Sequence, residues 1–195
     1  MAERTIVLAS RNRGKLREIE RILEGFPATF VTAEDVGAPE VEETGETFEE
    51  NARKKAVETA AATGHWALAD DSGLAVDALG GAPGVRSARY SVEGTDDANN
   101  AKLWRTVQEM ALTRPSARFV CVIVLATPDG VHTEVRGEVE GVIVANAGGT
   151  EGFGYDPLFF SPELGKTFGE ATAEEKSGVS HRGRALRKLR EKLLG

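Results

Sequence analysis

"TIVLASRNRGKLREIERILEGFPATFVT", residues Thr5 to Thr32, decides how this chain folds. "TIVLAS" is a short β-branched run of the kind that makes a buried strand. After the polar turn "RNRG", Leu16, Ile19, Ile22 and Leu23 recur at helical spacing, and Gly25 and Pro27 stop the helix. "ATFVT" reads as the next strand. A strand, helix, strand opening points to an α/β protein.

Outward from that opening, "EDVGAPEVEETGE" is acidic and aperiodic, hence a loop. Thr47 and Glu50 have capping-box spacing and open the alanine-rich helix "FEENARKKAVETAAAT", which Gly64 ends. "WALA" reads as a short strand that stops at Asp70-Asp71, with Ser72-Gly73 as the turn. "DDANNAKLWRTVQEMAL" is a helix with Leu103, Val107 and Met110 on one face. "ARFVCVIVLA", the turn "TPDG" and the alternating "VHTEVRGEVEG" form an antiparallel hairpin. "VIVANA" suggests a further strand. The tail "SHRGRALRKLREKLLG" is a helix with Leu186, Leu189 and Leu193 inward. There are no repeats, low-complexity tracts or linkers, so residues 1–195 read as a single domain, with a parallel-style opening and an antiparallel centre.

The totals exclude several classes. Of 195 residues, 41% are hydrophobic and 28% charged, an ordinary globular balance. A formal net charge of −7 argues against binding polymeric nucleic acid through the overall field. The lone cysteine, Cys121, forms no intrachain disulfide and suits the core. With three histidines and one cysteine, a zinc site of the usual kind is not expected. No stretch approaches the ~20 apolar residues of a membrane span, and the N-terminal apolar run is too short for a signal peptide. A soluble, cytoplasmic protein with no membrane association is the expectation.

Several segments could carry chemistry, each with a plainer reading beside it. "SRNRGK", Ser10 to Lys15, joins a strand to a helix N-terminus, where backbone N–H groups favour an anion; it is otherwise a polar loop. Asn51 and Lys55, four apart, share a helix face near Glu42 and Glu43, while Lys54 points roughly 100° away. The plain alternative is an amphipathic helix after a solvated loop. Asp70 and Asp71 could hold Mg²⁺ at a strand end and orient a water; an Asx-type turn is the alternative. The cluster "GGAPG" suggests backbone close to a ligand or a tight connection. In "GFGYDPLFF", Phe153 could stack on a base, Tyr155 could stack or pack, and Phe159 and Phe160 suit the core. Lys176, His181 and Arg182 could contact phosphate or a base carbonyl, or simply flank a helix capped by Ser180.

Together these segments resemble the Ham1-like family of inosine/xanthosine triphosphatases, pyrophosphatases of non-standard purine nucleoside triphosphates. The motifs "SRNRGK", "EETGETFEENARKKA", "DDSGLAVDALGGAPGVRSARY", "GFGYDPLF" and "KSGVSHRGRAL" stand in the family's order across almost the whole chain. The resemblance implies an elongated mixed sheet with flanking helices, in two lobes around a central cleft, and usually a homodimer. It implies hydrolysis of ITP, dITP, XTP and dXTP to the monophosphate and pyrophosphate, with Mg²⁺. Ser10, Asn12 and Lys15 match its phosphate loop. Glu43 and Asp71 match the metal-binding acids, with Asp70 beside them, and Asp71 also matches the general base. Asn51 and Lys55 match the phosphate-reaching helix face, and Ser72 a substrate contact. Phe153, Gly154, Tyr155 and Asp156 match the element beside the base. Lys176, His181 and Arg182 match the far-side contacts, the last two reading the purine. Arg11 and Arg13 are motif wildcards whose charge either helps or faces solvent. Two other readings are a Maf-like pyrophosphatase of modified or pyrimidine nucleotides and a nucleotide-binding protein without turnover. Three carboxylates argue against the last, since a metal-free anion binder gains nothing from them.

Overall fold

The structure, a computed structural model, describes residues 4–11, 13–145 and 152–194. The opening folds as its pattern dictates: strand β1 (Arg4–Leu8), helix α1 (Arg13–Ile22) and strand β2 (Ala28–Thr32). β1 pairs in parallel with β2 on one side and with β3 (Trp66–Val76) on the other. The strands β4 (Ser116–Thr127), β5 (Gly130–Ile143), β6 (Phe159–Ser161) and β7 (Lys166–Thr167) complete a seven-stranded sheet in the order β2-β1-β3-β4-β5-β6-β7. β6 runs antiparallel to both β5 and β7, so the sheet is mixed and the fold is α/β.

Helix α2 (Phe48–Thr63) begins with the expected capping box: the Thr47 side chain accepts from Glu50 N–H, and the Glu50 side chain accepts in return. Gly64 closes it in the left-handed region. α2 buries Ala52, Ala56 and Ala60, which remove little apolar area, so a cap of about 1 kcal/mol matters more here than in a leucine-rich helix. α3 (Asp96–Glu109) starts at a Thr95 cap and buries Leu103 and Val107. The last helix, α5 (His181–Leu194), has Ser180 accepting from Gly183 N–H, with Leu186 and Leu189 fully buried.

The chain forms two compact units, residues 1–71 with 121–137 and 184–195, and residues 72–120 with 138–183. The first unit's core joins Ile6, Leu8, Leu16, Ile19 and Leu23 to Cys121, Ile123, Leu125 and Leu186. In the second, Leu74, Val76, Leu103 and Val107 pack with Phe119, Phe159 and Phe168. The three phenylalanine rings lie 4.7–5.9 Å apart.

Three expectations need correction. β3 does not end at Asp70-Asp71; it runs through Ser72 and Gly73 to Val76. Leu74 and Val76, both fully buried, hold the strand extended, and burial overrides the local turn preference of Asp, Ser and Gly. The turn comes later: a short 3-10 segment, Asp77–Leu79, leads into Gly80, Gly81 and Gly84, all at positive φ. These left-handed conformations, which glycine adopts without strain, make the tight connection. Within "VIVANA", Val142 and Ile143 finish β5 against β6 and form no strand of their own, while Asn146 and Ala147 lie outside the described residues. The segment before α5 holds an additional helix, α4 (Ala173–Val179), opened by a Thr172–Glu175 capping box.

Candidate active site

Two groups of predicted residues form, one in each unit. In the first, the four-residue spacing on α2 puts Asn51 and Lys55 over the Asp70-Asp71 segment of β3. Asn51 Nδ2 donates to Asp71 Oδ2 at 3.2 Å, and Asn51 Oδ1 accepts from Gly45 N–H at 2.7 Å. Lys55 Nζ donates to Glu43 Oε1 at 2.5 Å and to the Asp70 carbonyl at 2.7 Å, and lies 3.5 Å from Asp71 Oδ1. Lys15 spans both oxygens of Asp70 at 2.8 and 3.0 Å. Lys54 faces elsewhere, donating to the Glu42 carbonyl and Thr44 Oγ1.

Asp70 and Asp71 are buried. Burial pushes the Asp71 carboxyl up to about 6; Lys55 opposes the rise and Glu43 adds to it. Burial alone would pull the Lys55 ammonium down, but Asp71, Asp70 and Glu43 together carry it above the usual lysine value. A cavity of about 270 Å³ in this unit is lined by Ser10, Arg11, Lys15, Glu43, Lys55 and Asp70, among others. Asn12 lies outside the described residues. Among the described residues, no three His, Cys, Asp or Glu side chains form a ready-made metal cage.

The second group surrounds the Phe153–Asp156 turn. Phe153 is 62% exposed, with Lys176 Nζ 4.6 Å from its ring centroid. Asp156 is buried, accepts from Phe153 N–H at 2.8 Å and pairs with Lys176. Burial raises the Asp156 pKa against the lowering effect of Lys176. Tyr155 is buried and donates to the Ser87 carbonyl at 2.8 Å, the packing half of its two readings. His181 and Arg182 are both buried, and the His181 ring stacks on Phe119 at 4.9 Å. Phe159 is fully buried; Phe160 is half-buried under Arg114. Ser72 lies half-buried in β3.

Sequence reasoning missed the residues that hold this turn. Asp96 Oδ2 accepts from Gly154 N–H at 2.7 Å, and Asn100 Nδ2 donates to the Gly154 carbonyl at 2.8 Å. The i, i+4 spacing of Asp96 and Asn100 on α3 was the available signal. It gave no hint of a partner more than fifty residues away.

The first unit thus sets Glu43 and Asp70, each paired with a lysine, in the wall of a cavity, and the buried Asp71 lies against Lys55. The chain belongs to the Ham1 family, which it matches over residues 6–192. It is 54% identical over 190 residues to a dITP/XTP pyrophosphatase of Geobacter sulfurreducens, covering 96% of each chain. It is 50% identical over 191 residues to a dITP/XTP pyrophosphatase of Shigella flexneri, covering 96% of this chain and 97% of that one. Among solved structures, a HAM1 protein from Coxiella burnetii superposes with a TM-score of 0.93 at 40% identity, over 98% of both chains. A nucleoside-triphosphatase / dITP/XTP pyrophosphatase from Mycobacterium abscessus gives 0.80 at 46% identity, over 95% of this chain and 98% of that one.

Proposed function

We propose that this chain is a nucleoside triphosphate pyrophosphatase that hydrolyses dITP, ITP and XTP to the monophosphate and pyrophosphate, clearing non-standard purines from the nucleotide pool. The activity is the one named for its Geobacter and Shigella relatives. The observation that carries it is Asp71, buried and basic for a carboxylate, held by Asn51 beside Lys55.

Asp71 is the general base. In the metal-free protein burial pushes its carboxyl up to about 6, so it is ionised at neutral pH and able to accept a proton. It takes the proton of the attacking water as the water oxygen bonds to the α-phosphorus. The bond from that phosphorus to the bridging oxygen breaks, and pyrophosphate leaves. Lys15 and Lys55 exchange carboxylate oxygens for phosphate oxygens and stabilise the charge that builds in the transition state. Ser10 and Asn12 complete the phosphate loop, and Ser72 adds a substrate contact. Glu43, Asp70 and Asp71 are the residues that would hold Mg²⁺, which would supply charge neutralisation for the triphosphate when bound. The donor set fits: Mg²⁺ takes oxygen ligands and usually leans on one or two carboxylates, waters and phosphates instead of a closed protein cage.

In the second unit, Phe153 stacks on the base, Asp156 and Lys176 fix the turn, and His181 and Arg182 present donors to the 6-oxo group. Adenine sets a 6-amino donor against those donors, and an unsatisfied buried polar group costs about 1–3 kcal/mol, roughly 5- to 150-fold in binding. The protein works as a cytoplasmic homodimer, with no role for membranes or polymeric nucleic acid.

Pyrophosphate release from ITP, XTP, dITP, GTP, ATP and dTTP, with Mg²⁺ and with EDTA, tests the whole reading. Selective, EDTA-sensitive release from the hypoxanthine and xanthine nucleotides is the expected result. Release mainly from dTTP would overturn the purine assignment, and binding of ITP without turnover would overturn the enzyme. Sedimentation of the purified protein tests the dimer.

A further inference from the structure

We infer that Arg11 is a further triphosphate-binding residue, the cation of the first unit's cavity that can take phosphate without first releasing a carboxylate. The inference rests on the reading of the substrate as a nucleoside triphosphate and says which side chain meets its phosphates most readily.

Three cationic side chains line the cavity: Arg11, Lys15 and Lys55. Two are engaged by acids. Lys15 spans both oxygens of Asp70, and Lys55 bonds Glu43 and sits against Asp71. For either lysine, binding phosphate means exchanging one anionic partner for another, so the net gain is reduced. Arg11 is exposed, and no described residue forms an ion pair or hydrogen bond with its side chain. Its charge is therefore available.

Arg13, two residues on, provides the internal contrast. In sequence the two arginines are indistinguishable wildcards of one loop. In the structure Arg13 Nη2 binds Asp35 Oδ1 at 2.6 Å. Asp35 is itself fixed by Thr32, from N–H at 2.9 Å and Oγ1 at 2.7 Å. Those bonds, and then Arg13, hold the Asp35 carboxyl down to about 2. Arg13 is thus spent on closing the turn after β2, and it does not line the cavity. Arg11 keeps a planar, permanently charged fork whose N–H pairs match two phosphate oxygens at once.

The acids on the cavity wall sharpen the point. Glu40, Glu43 and Asp70 stand against the three cations, so the empty wall is near neutral and does not attract an anion strongly. A triphosphate entering it gains most from the lining cation that no described acid engages.

The test compares Arg11→Ala, Arg11→Lys and Arg13→Ala with the wild type. It reads KM and kcat for ITP, competition by inorganic pyrophosphate, and melting temperature. Arg11→Ala is expected to raise KM and weaken pyrophosphate competition about tenfold, the scale of a charged hydrogen bond, with kcat within about threefold and the melting temperature unchanged. Arg11→Lys, keeping charge but losing the fork, is expected to fall between. Arg13→Ala is expected to leave KM and pyrophosphate competition unchanged. Wild-type KM and competition in Arg11→Ala, or an equal effect of Arg13→Ala, would overturn the assignment. If the wild type turns over no triphosphate, the activity reading fails instead. Calorimetric binding of pyrophosphate to the same variants then still decides for or against Arg11.

Discussion

Lys55 and Lys176 are both lysines held by buried aspartates, one in each unit, and their surroundings differ in kind. Lys55 sits among oxygens: Glu43, the Asp70 carbonyl and, slightly farther off, Asp71. Lys176 sits on Asp156 and beneath aromatic faces, 4.6 Å from the Phe153 centroid and 5.5 Å from that of Phe168. Beside Lys55, burial raises the pKa of Asp71 although Lys55 opposes the rise, and Glu43 adds to it. Around Lys176 the acid also carries the Phe153 N–H, so the pair fixes the shape of a turn. On the proposed reading the first lysine would serve chemistry and the second positioning, and substitutions should separate them.

The largest effect is expected at Asp71. Asp71→Asn keeps size and the Asn51 contact but removes the proton acceptor, so kcat for pyrophosphate release from ITP should fall roughly 10²- to 10⁴-fold. Its stability effect has the opposite sign. A carboxyl raised from 3.8 to about 6 prefers its proton in the folded state, so ionised Asp71 destabilises the fold above pH 6. That cost shrinks as pH falls through 6 and is gone below 3.8. In EDTA, Asp71→Asn should melt higher than the wild type at pH 7.5 and not at pH 4. A lower melting temperature at pH 7.5 would break the picture of a carboxylate whose ionised form is penalised by burial.

Lys55→Met comes next. It leaves Glu43 and Asp71 without their shared cation and removes one phosphate contact, so kcat/KM should drop about 100-fold. Lys176→Met should act on the other side of the contrast. It should raise KM for ITP about tenfold while inorganic pyrophosphate, which has no base, competes as well as before. Weaker competition by pyrophosphate would return Lys176 to the phosphate contacts and dissolve the distinction between the two lysines. Gly152→Ala should resemble Lys176→Met at about half its size on a logarithmic scale, again read as KM for ITP. Gly152 has φ +81°, and a Cβ there would meet Asp156 Oδ2 at 2.1 Å, dislodging the acid that holds Phe153.

Much of the first group was legible because its signals are local. The Thr47–Glu50 box placed α2, and the helical period then put Asn51 and Lys55 on one face. The misreading of β3 shows where local signals stop. Asp70, Asp71, Ser72 and Gly73 all favour turns, but Leu74 and Val76 have no exposure to give up, and only the three-dimensional core reveals that. Tyr155 is buried as well, and its hydroxyl finds the Ser87 carbonyl 68 residues back. No pattern within ten residues of Tyr155 contains that partner. The same holds for the two arginines of "SRNRGK", where the contact with Asp35 tells Arg13 from Arg11.

The smallest effect is expected where the support is most indirect. Among the described residues the Asp96 and Asn100 side chains hydrogen-bond to the backbone of Gly154, one taking its N–H and the other reaching its carbonyl. Asn100 Oδ1 is buried without a hydrogen-bond partner among the described residues, so this amide is held by its single donor contact to the turn. Asn100→Ala loses that bond but relieves the unsatisfied acceptor, and the two partly offset in stability. Its melting temperature should barely move. KM for ITP should still rise about threefold, because Phe153 depends on the turn's position and a modest displacement weakens stacking. Asp96→Ala should do slightly more, since its bond is charge-assisted and opens no compensating relief. Pyrophosphate competition should stay at the wild-type value in both. If it weakens along with ITP, α3 supports the whole fold and not the base turn, and the contrast between the charged group and the positioned turn loses its second half.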